Sequence, residues 1–288
     1  QSNSIGATIH TAFGIPTWVV GLVLVVVCAL IFLGGVQRLA SVTEKLVPIM
    51  AALFLAGGVI VLCARIRYIP ETFLMIFKYA FTPQAIIGGT FGAAIKSAIS
   101  QGAKRGLFSN EAGMGSTPHA HALANVKTPH EQGAVAVASV FIDTFVVLTL
   151  NALVINCTLY TADGPLAGCG TAAAQTVLNK TNLAQTAFGT VFGANLGAAF
   201  VAVALFFFAF STILGWNLFG KVNTNYLFGE KARIPYMVLS LLFIFLGTVM
   251  SSDLVWELTD LMNYLMVLPN VIGLVGCAGL VCTLIKKK

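Results

Sequence analysis

Residues 105–115 read RGLFSNEAGMG, the densest concentration of chemistry in the chain. Gly106, Gly113 and Gly115 permit backbone conformations that other residues resist, and Ser109, Asn110 and Glu111 set polar side chains beside them. Unwound backbone of this kind exposes helix-end amides and carbonyls, which bind ions and anionic groups. The competing reading is an ordinary loop in which Asn110 caps a following helix. Residues 210–216 read FSTILGW. Ser211 and Thr212 offer adjacent hydroxyl oxygens, hard donors suited to a small cation such as sodium. Thr212 and Trp216 are four apart and share one helix face, which sets an ion ligand beside an aromatic wall. Hydroxyls in apolar helices also bond back to carbonyls of the preceding turn, and the sequence leaves both roles open.

Asp143 lies inside an apolar stretch running from 133 to 156. A carboxylate at that depth is costly and points to function or to a buried partner: it can ligate a cation, relay protons or pair with a base from another helix. His119, His121 and His130 do not form a metal set. Residues 119 and 121 point apart on a helix, and no cysteine or carboxylate cluster completes the ligands, so a solvated loop is expected. Asn156 and Asn179 open Asn-Cys-Thr and Asn-Lys-Thr triplets, which matter only in a glycosylating host. The sequence holds no glycine–lysine phosphate loop, so nothing in it supports ATP-driven chemistry.

The elements that carry these residues must suit lipid. Hydrophobic residues make up 58% of the chain and charged residues 9%, with a mean hydropathy of +0.91. A soluble domain carries roughly 25% charged residues, so most of this outer surface faces a bilayer. Spans are predicted at 18–36, 46–64, 133–156, 196–216 and 234–250, each near the ~20 residues that cross a membrane, and at 253–285, one longer pass kinked near Pro269. Residues 84–100 are apolar but broken by Gly88, Gly89 and Gly92, and they run into the polar stretch at 102–118. Such backbone survives at membrane depth only when buried in protein or lining a cavity, so a discontinuous helix is expected over 84–118. Counting it, the chain makes seven passes.

The net charge of +6 does not indicate nucleic acid. Basic residues such as Arg38, Lys45, Lys104, Arg105, Lys127, Lys221, Lys231 and the terminal lysines fall in expected loops at 37–45, 102–132 and 217–235 and at the C-terminus. Cationic loops mark the cytoplasmic side, which places the C-terminus inside. Cys157 and Cys169 then flank an outside loop where a disulfide has a chance to form; the other four cysteines lie in or beside apolar runs as small hydrophobes.

The stretch RGLFSNEAGMGSTPHA resembles the alanine or glycine:cation symporter family, which carries an RGLFSNEAG-type signature. The resemblance continues through GVQRLASVTEKLVPIM at 35–50, YAFTPQAIIGGTFGAA at 79–94, FIDTFVV at 141–147, FAFSTILGW at 208–216 and SSDLVWELTDLMNYLMVLPN at 251–270, and so covers essentially the whole chain. It implies an all-α polytopic membrane protein with the inverted-repeat fold of the bacterial leucine transporter, in which the first helix of each five-helix repeat is broken. Residues 1–64 then end the first repeat and 84–288 form the second, within a single transmembrane domain. By the same resemblance Gln1, Phe108, Ser109, Asn110, Gly113 and Trp216 contact substrate, and Asn110, Ser211 and Thr212 hold sodium. Family members begin well upstream of Gln1, so the chain is expected to be a fragment lacking the other broken helix and half of the binding site.

The expected function is therefore sodium-coupled symport of alanine, glycine or both across the plasma (inner) membrane, with sodium as coupling ion and no cofactor. A proton-coupled or facilitative carrier titrating Asp143 or Glu111 is the alternative. The helices are too uniformly apolar for a channel, and no nucleophile–base pair suggests an enzyme.

Overall fold

A helix rich in Val and Ile is a poor prospect in water, because β-branched side chains lose rotamer freedom against the preceding turn. In lipid the choice is removed: each backbone N–H and C=O must be satisfied within its own segment. The computed structural model describes residues 1–81, 91–109, 111, 113–167 and 182–286. Those residues form an all-helical protein with no strand among them. The helices are α1 (Ser2–Phe13), α2 (Thr17–Leu33), α3 (Gly35–Ala64), α4 (Ile69–Phe81), α5 (Phe91–Ser109), α6 (Pro118–His121), α7 (Pro129–Tyr160), α8 (Asn182–Phe192), α9 (Ala194–Phe228), α10 (Arg233–Val249) and α11 (Ser252–Lys286). Within the described residues α3, α7, α9, α11 and the segment Glu230–Val249 are long and apolar enough to cross a membrane, and α2 is a shorter apolar helix.

Two expected loops are helical instead. Residues 37–45 belong to α3, which runs unbroken for 30 residues through Pro48. At ~1.5 Å per residue this is about 45 Å, longer than a ~30 Å hydrocarbon core, so the charged residues Arg38, Glu44 and Lys45 ride on a helical extension. Arg38 Nη1 turns back to donate to the Leu30 carbonyl at 2.8 Å, serving the otherwise unpaired C-terminal end of α2. Likewise the expected loop at 217–235 is helical as far as Phe228, where Gly229 (φ 72°) ends α9. Of the discontinuous helix expected over 84–118, the break at Gly92 is not found: Gly92, Gly102 and Gly106 sit within the continuous α5, which ends at Ser109, while 82–90, with Gly88 and Gly89, lie outside the described residues.

α9 organises the core. Its later half packs Ala209, Phe210 and Leu214 against Ile5 of α1, Leu24 and Phe32 of α2 and Leu39 of α3. Its earlier half packs Val201 against Val61 of α3, Val154 of α7 and Phe188 of α8. Without a hydrophobic driving force between helices in lipid, small residues allow the close approach that dispersion needs. Gly57 of α3 faces the ring of Phe200 and Gly58 faces Leu150 of α7, leaving no space for a methyl group. α1 is tied at its start by Asn3, whose amide donates to the Gly247 and Met250 carbonyls, both at 2.9 Å, and accepts from Ser252 at 2.8 Å. One side chain thus serves the last turn of α10 and the first residue of α11. In contrast, α11 presents an almost entirely unburied surface rich in Leu and Val.

The far ends of α3 and α7 are joined by an arginine clasp. Arg65 donates to both carboxylate oxygens of Asp163 at 2.7 and 2.6 Å, to Thr161 Oγ1 at 3.1 Å and to the Cys157 carbonyl at 3.0 Å. Its guanidinium lies 4.1 Å from the centre of the Tyr68 ring. Bidentate arginine–carboxylate geometry is the strong form of this pairing, and it holds the Asp163 carboxyl well below the usual carboxylate range. Cys157 itself is a buried free thiol, whereas its expected disulfide partner Cys169 lies outside the described residues.

Two outcomes follow from this packing. Gly57→Leu should lower the stability of the purified protein by about 1–3 kcal/mol through overpacking against Phe200, read as a lower melting temperature in detergent. Arg65→Ala should also lower it at neutral pH. Because the folded-state pKa of Asp163 is depressed, the stability it contributes is present above the unfolded carboxylate value of about 3.9. It is lost as pH falls through the lower folded value, so the melting gap between wild type and Arg65→Ala should be constant from neutral to mildly acid pH and narrow only below that range, leaving the part that the Cys157, Thr161 and Tyr68 contacts supply.

Candidate functional site

The helical part of RGLFSNEAGMG ends at Ser109, and among the described residues that follow, Glu111 and 113–117 belong to no helix before α6 starts at Pro118. Asn110 and Ala112 lie outside the described residues. The turns that follow use left-handed conformations at Glu111 (φ 52°), Gly113 (φ 88°) and Gly115 (φ 76°). Glutamate in that region costs on the order of 1–3 kcal/mol. Its carboxylate offsets the cost by accepting from Ser116 Oγ at 2.6 Å and Thr117 Oγ1 at 2.7 Å, which closes a small polar ring over the unwound turn. Gly115 lies against the Asn270 side chain of α11, so closely that a Cβ would come within 2.5 Å of its Oδ1. The unwound segment is therefore packed against a helix.

Ser109 is the first contact from this segment to another span. Its hydroxyl donates to Asp143 Oδ2 at 3.3 Å. Asp143 sits in a π-helical turn of α7, Ile142–Val147, where the widened backbone interrupts regular hydrogen bonding. Of the three roles open to Asp143 from sequence, pairing with a base is the one without support: the ion pairs among the described residues are Arg65–Asp163 and the Lys104 and Arg105 contacts to Asp260. Those last two cations secure α5 to α11, helped by Arg105 over the Trp256 ring at 5.2 Å. Phe108 joins the same contact, its ring 6.1 Å from Trp256.

On α9, Ser211 and Thr212 both donate to the Phe208 carbonyl, at 2.8 and 2.9 Å. The back-bonded arrangement is thus adopted. It uses each hydroxyl hydrogen and leaves oxygen lone pairs as acceptors, with Met50 Sδ of α3 3.6 Å from Ser211. Trp216 is half-buried and packs edge-on to Phe219 at 5.9 Å. Phe108 and Trp216 therefore belong to different aromatic pairs. Gln1 precedes α1 and accepts from the Ile5 N–H at 3.0 Å.

One contact was not legible in the sequence. His119, expected in a solvated loop, is half-buried against α9: its ring lies 5.9 Å from Phe219 and Nε2 is 3.1 Å from Asn223 Oδ1. His121 instead meets Gln132 at 2.6 Å. The polar residues Asn217, Asn223 and Asn225 on the far end of an otherwise apolar helix were the available signal. The segment 111–121 thus reaches α11 through Gly115 and α9 through His119.

Comparison with known proteins gives this arrangement its context. The profile of the sodium:alanine symporter family matches residues 1–287. The chain belongs to that family. It is 36% identical over 276 residues to an uncharacterised transporter of Haemophilus influenzae, covering 96% of this chain and 58% of that protein. It is 36% identical over 281 residues to the sodium/alanine symporter AgcS of Methanococcus maripaludis, covering 98% of this chain and 59% of that protein. A sodium/proton-dependent alanine carrier protein of Bacillus sp. strain PS3 is 35% identical over 285 residues, with 95% and 62% covered. The chain therefore spans about three fifths of the length of these curated relatives.

In this member of the sodium:alanine symporter family, the glycines of the signature stretch divide into two kinds. Gly106 lies in helix with open space around its Cα, whereas Gly115 has positive φ and a neighbour in contact. Gly106→Ala should be neutral or stabilise by up to about 1 kcal/mol, while Gly115→Ala should cost about 1–3 kcal/mol. Thermal melting of the two variants, side by side in detergent, reads the difference in sign.

Proposed function

We propose that this chain supplies much of the ion and substrate machinery of a sodium-coupled symporter for alanine, glycine or both. The observation that carries the reading is the unwound turn between Ser109 and Pro118, hydrogen-bonded to a mid-span carboxylate through Ser109, in a chain of the sodium:alanine symporter family. In this reading the protein has the leucine-transporter-like inverted-repeat fold with roughly seven transmembrane segments in this portion, residues 1–64 ending the first repeat and 84–288 forming the second. It resides in the plasma (inner) membrane with its C-terminus cytoplasmic, and it is a carrier, not an enzyme.

The residues take distinct roles. Backbone groups around Phe108, Ser109, Asn110 and Gly113 line the substrate and sodium sites, with Gln1 at the substrate and Trp216 closing over its side chain. Asn110, Ser211 and Thr212 ligate sodium; the back-bonds to Phe208 support this role by aiming the hydroxyl hydrogens away and leaving the oxygens as donors to a cation. Sodium moving down its gradient favours the substrate-ready state, and ion and substrate raise one another's affinity by the same factor. Rocking of one helical group against the other then opens the opposite side.

A second reading has its own observation. Asp143 is a carboxylate within a span whose described partner is the neutral Ser109 hydroxyl, which suits a proton carrier. Uptake of labelled alanine by the full-length protein in proteoliposomes separates the two. Under symport, uptake requires a sodium gradient, and Ser211→Ala or Thr212→Ala raises the sodium concentration for half-maximal uptake by about tenfold, the equivalent of ~1.4 kcal/mol. Uptake driven by a proton gradient alone, indifferent to sodium and abolished by Asp143→Asn, would overturn the sodium assignment.

A further inference from the structure

Helix α4 has no place among the predicted spans, yet its surface is organised. It has 13 residues, about 20 Å of helix, which is too short to cross a ~30 Å core. Four large apolar residues, Phe73, Leu74, Ile76 and Phe77, are spaced so that they share one arc. They are the exposed face: Leu74 is 71% and Phe77 62% accessible. Thr72 is fully buried, and α4 touches the Asn156–Tyr160 end of α7. Glu71 and Lys78, seven residues apart, lie together on a third arc. The helix thus has a protein face, a polar face and an apolar face.

Its height relative to the membrane is set by its neighbours. The long span α3 ends at Ala64, Arg65 is locked in its ion pair at that end, and one tight turn, Ile66–Tyr68, leads into α4 at Ile69. Four residues of chain reach at most ~14 Å, so α4 starts at the membrane boundary. The apolar arc also continues an existing surface, since Val59 and Ile60 on the last turns of α3 and Ile66 in the turn are exposed in the same way. A short helix at the boundary with separate apolar and charged arcs is the form that lies in the interface plane.

We infer that α4 lies flat in the lipid interface at the Arg65 end of α3, its Phe73–Phe77 arc sunk among the acyl chains and its Glu71 and Lys78 arc facing water. The bilayer is the partner of this surface. The consequence is mechanical: α4 connects the clasp at the end of α3 to the chain leading into α5, and so anchors the approach to the unwound segment against the membrane itself.

The test uses the full-length protein with its reactive cysteines replaced, reconstituted in vesicles of phosphatidylethanolamine and phosphatidylglycerol. Nitroxide labels are placed singly at Leu74→Cys, Phe77→Cys, Glu71→Cys and Lys78→Cys, and collision rates with dissolved oxygen and with a water-soluble nickel chelate are compared. The expected result is oxygen-dominated relaxation at 74 and 77 and nickel-dominated relaxation at 71 and 78. Nickel dominance at all four positions would put the helix in water and overturn the inference. Labels at 74 and 77 shielded from both reagents would overturn it equally, because another part of the longer protein would then cover the arc. The two arcs control for each other, and variants are compared only where they elute as a single species from gel filtration.

Discussion

Unpaired backbone polar groups are not tolerated in hydrocarbon, and several irregular features among the described residues are arranged around that constraint. Where the backbone stays helical it meets the requirement alone. Where it departs from the helix, a side chain from elsewhere intervenes. Arg65 serves the Cys157 carbonyl at the π-helical end of α7, Arg38 serves Leu30 at the end of α2, and Asn3 serves two carbonyls at the end of α10.

The same constraint gives the segment after Ser109 its character. Its described turns leave the helix at Glu111, Gly113 and Gly115, and that freedom has to be contained. Glu111 with Ser116 and Thr117 contains it locally; Asn270 beside Gly115 and Asn223 beside His119 contain it from α11 and α9. Ser109 and the π-turn around Asp143 bring a second irregular backbone alongside the first. Two departures from regular helix thus lie in adjacent elements, joined by one hydrogen bond.

Glycine has two opposite uses here, and sequence alone does not separate them. Gly57 and Gly58 are helical and let α3 close on α9 and α7; Gly113 and Gly115 are not helical and let the chain turn. Gly106 does neither, although it stands in the same signature stretch. The expectation of a helix broken along 84–118 read Gly106, Gly113 and Gly115 alike as sites of unwound backbone. A helix in lipid tolerates glycine because the competing unfolded conformations are excluded there, so only those glycines beside a packed neighbour or a turn carry structural information.

Hydropathy and composition by themselves determined that the chain is helical and membrane-embedded, and the RGLFSNEAG stretch marked both its family and where its backbone unwinds. These are local properties, and lipid leaves a local apolar run only one regular form. Helix ends were less legible: the charged residues at 37–45 and 217–228 were read as loops, but a helix continues beyond the lipid wherever its own hydrogen bonds remain unopposed. The partners were decided by tertiary structure alone. Ser109 meets Asp143 across 34 residues, Arg65 meets Asp163 across 98, and His119 meets Asn223 across 104. Which polar group finds which depends on how helices pack, and that packing is chosen by dispersion and close approach between apolar faces, which the residue types at the polar positions do not encode.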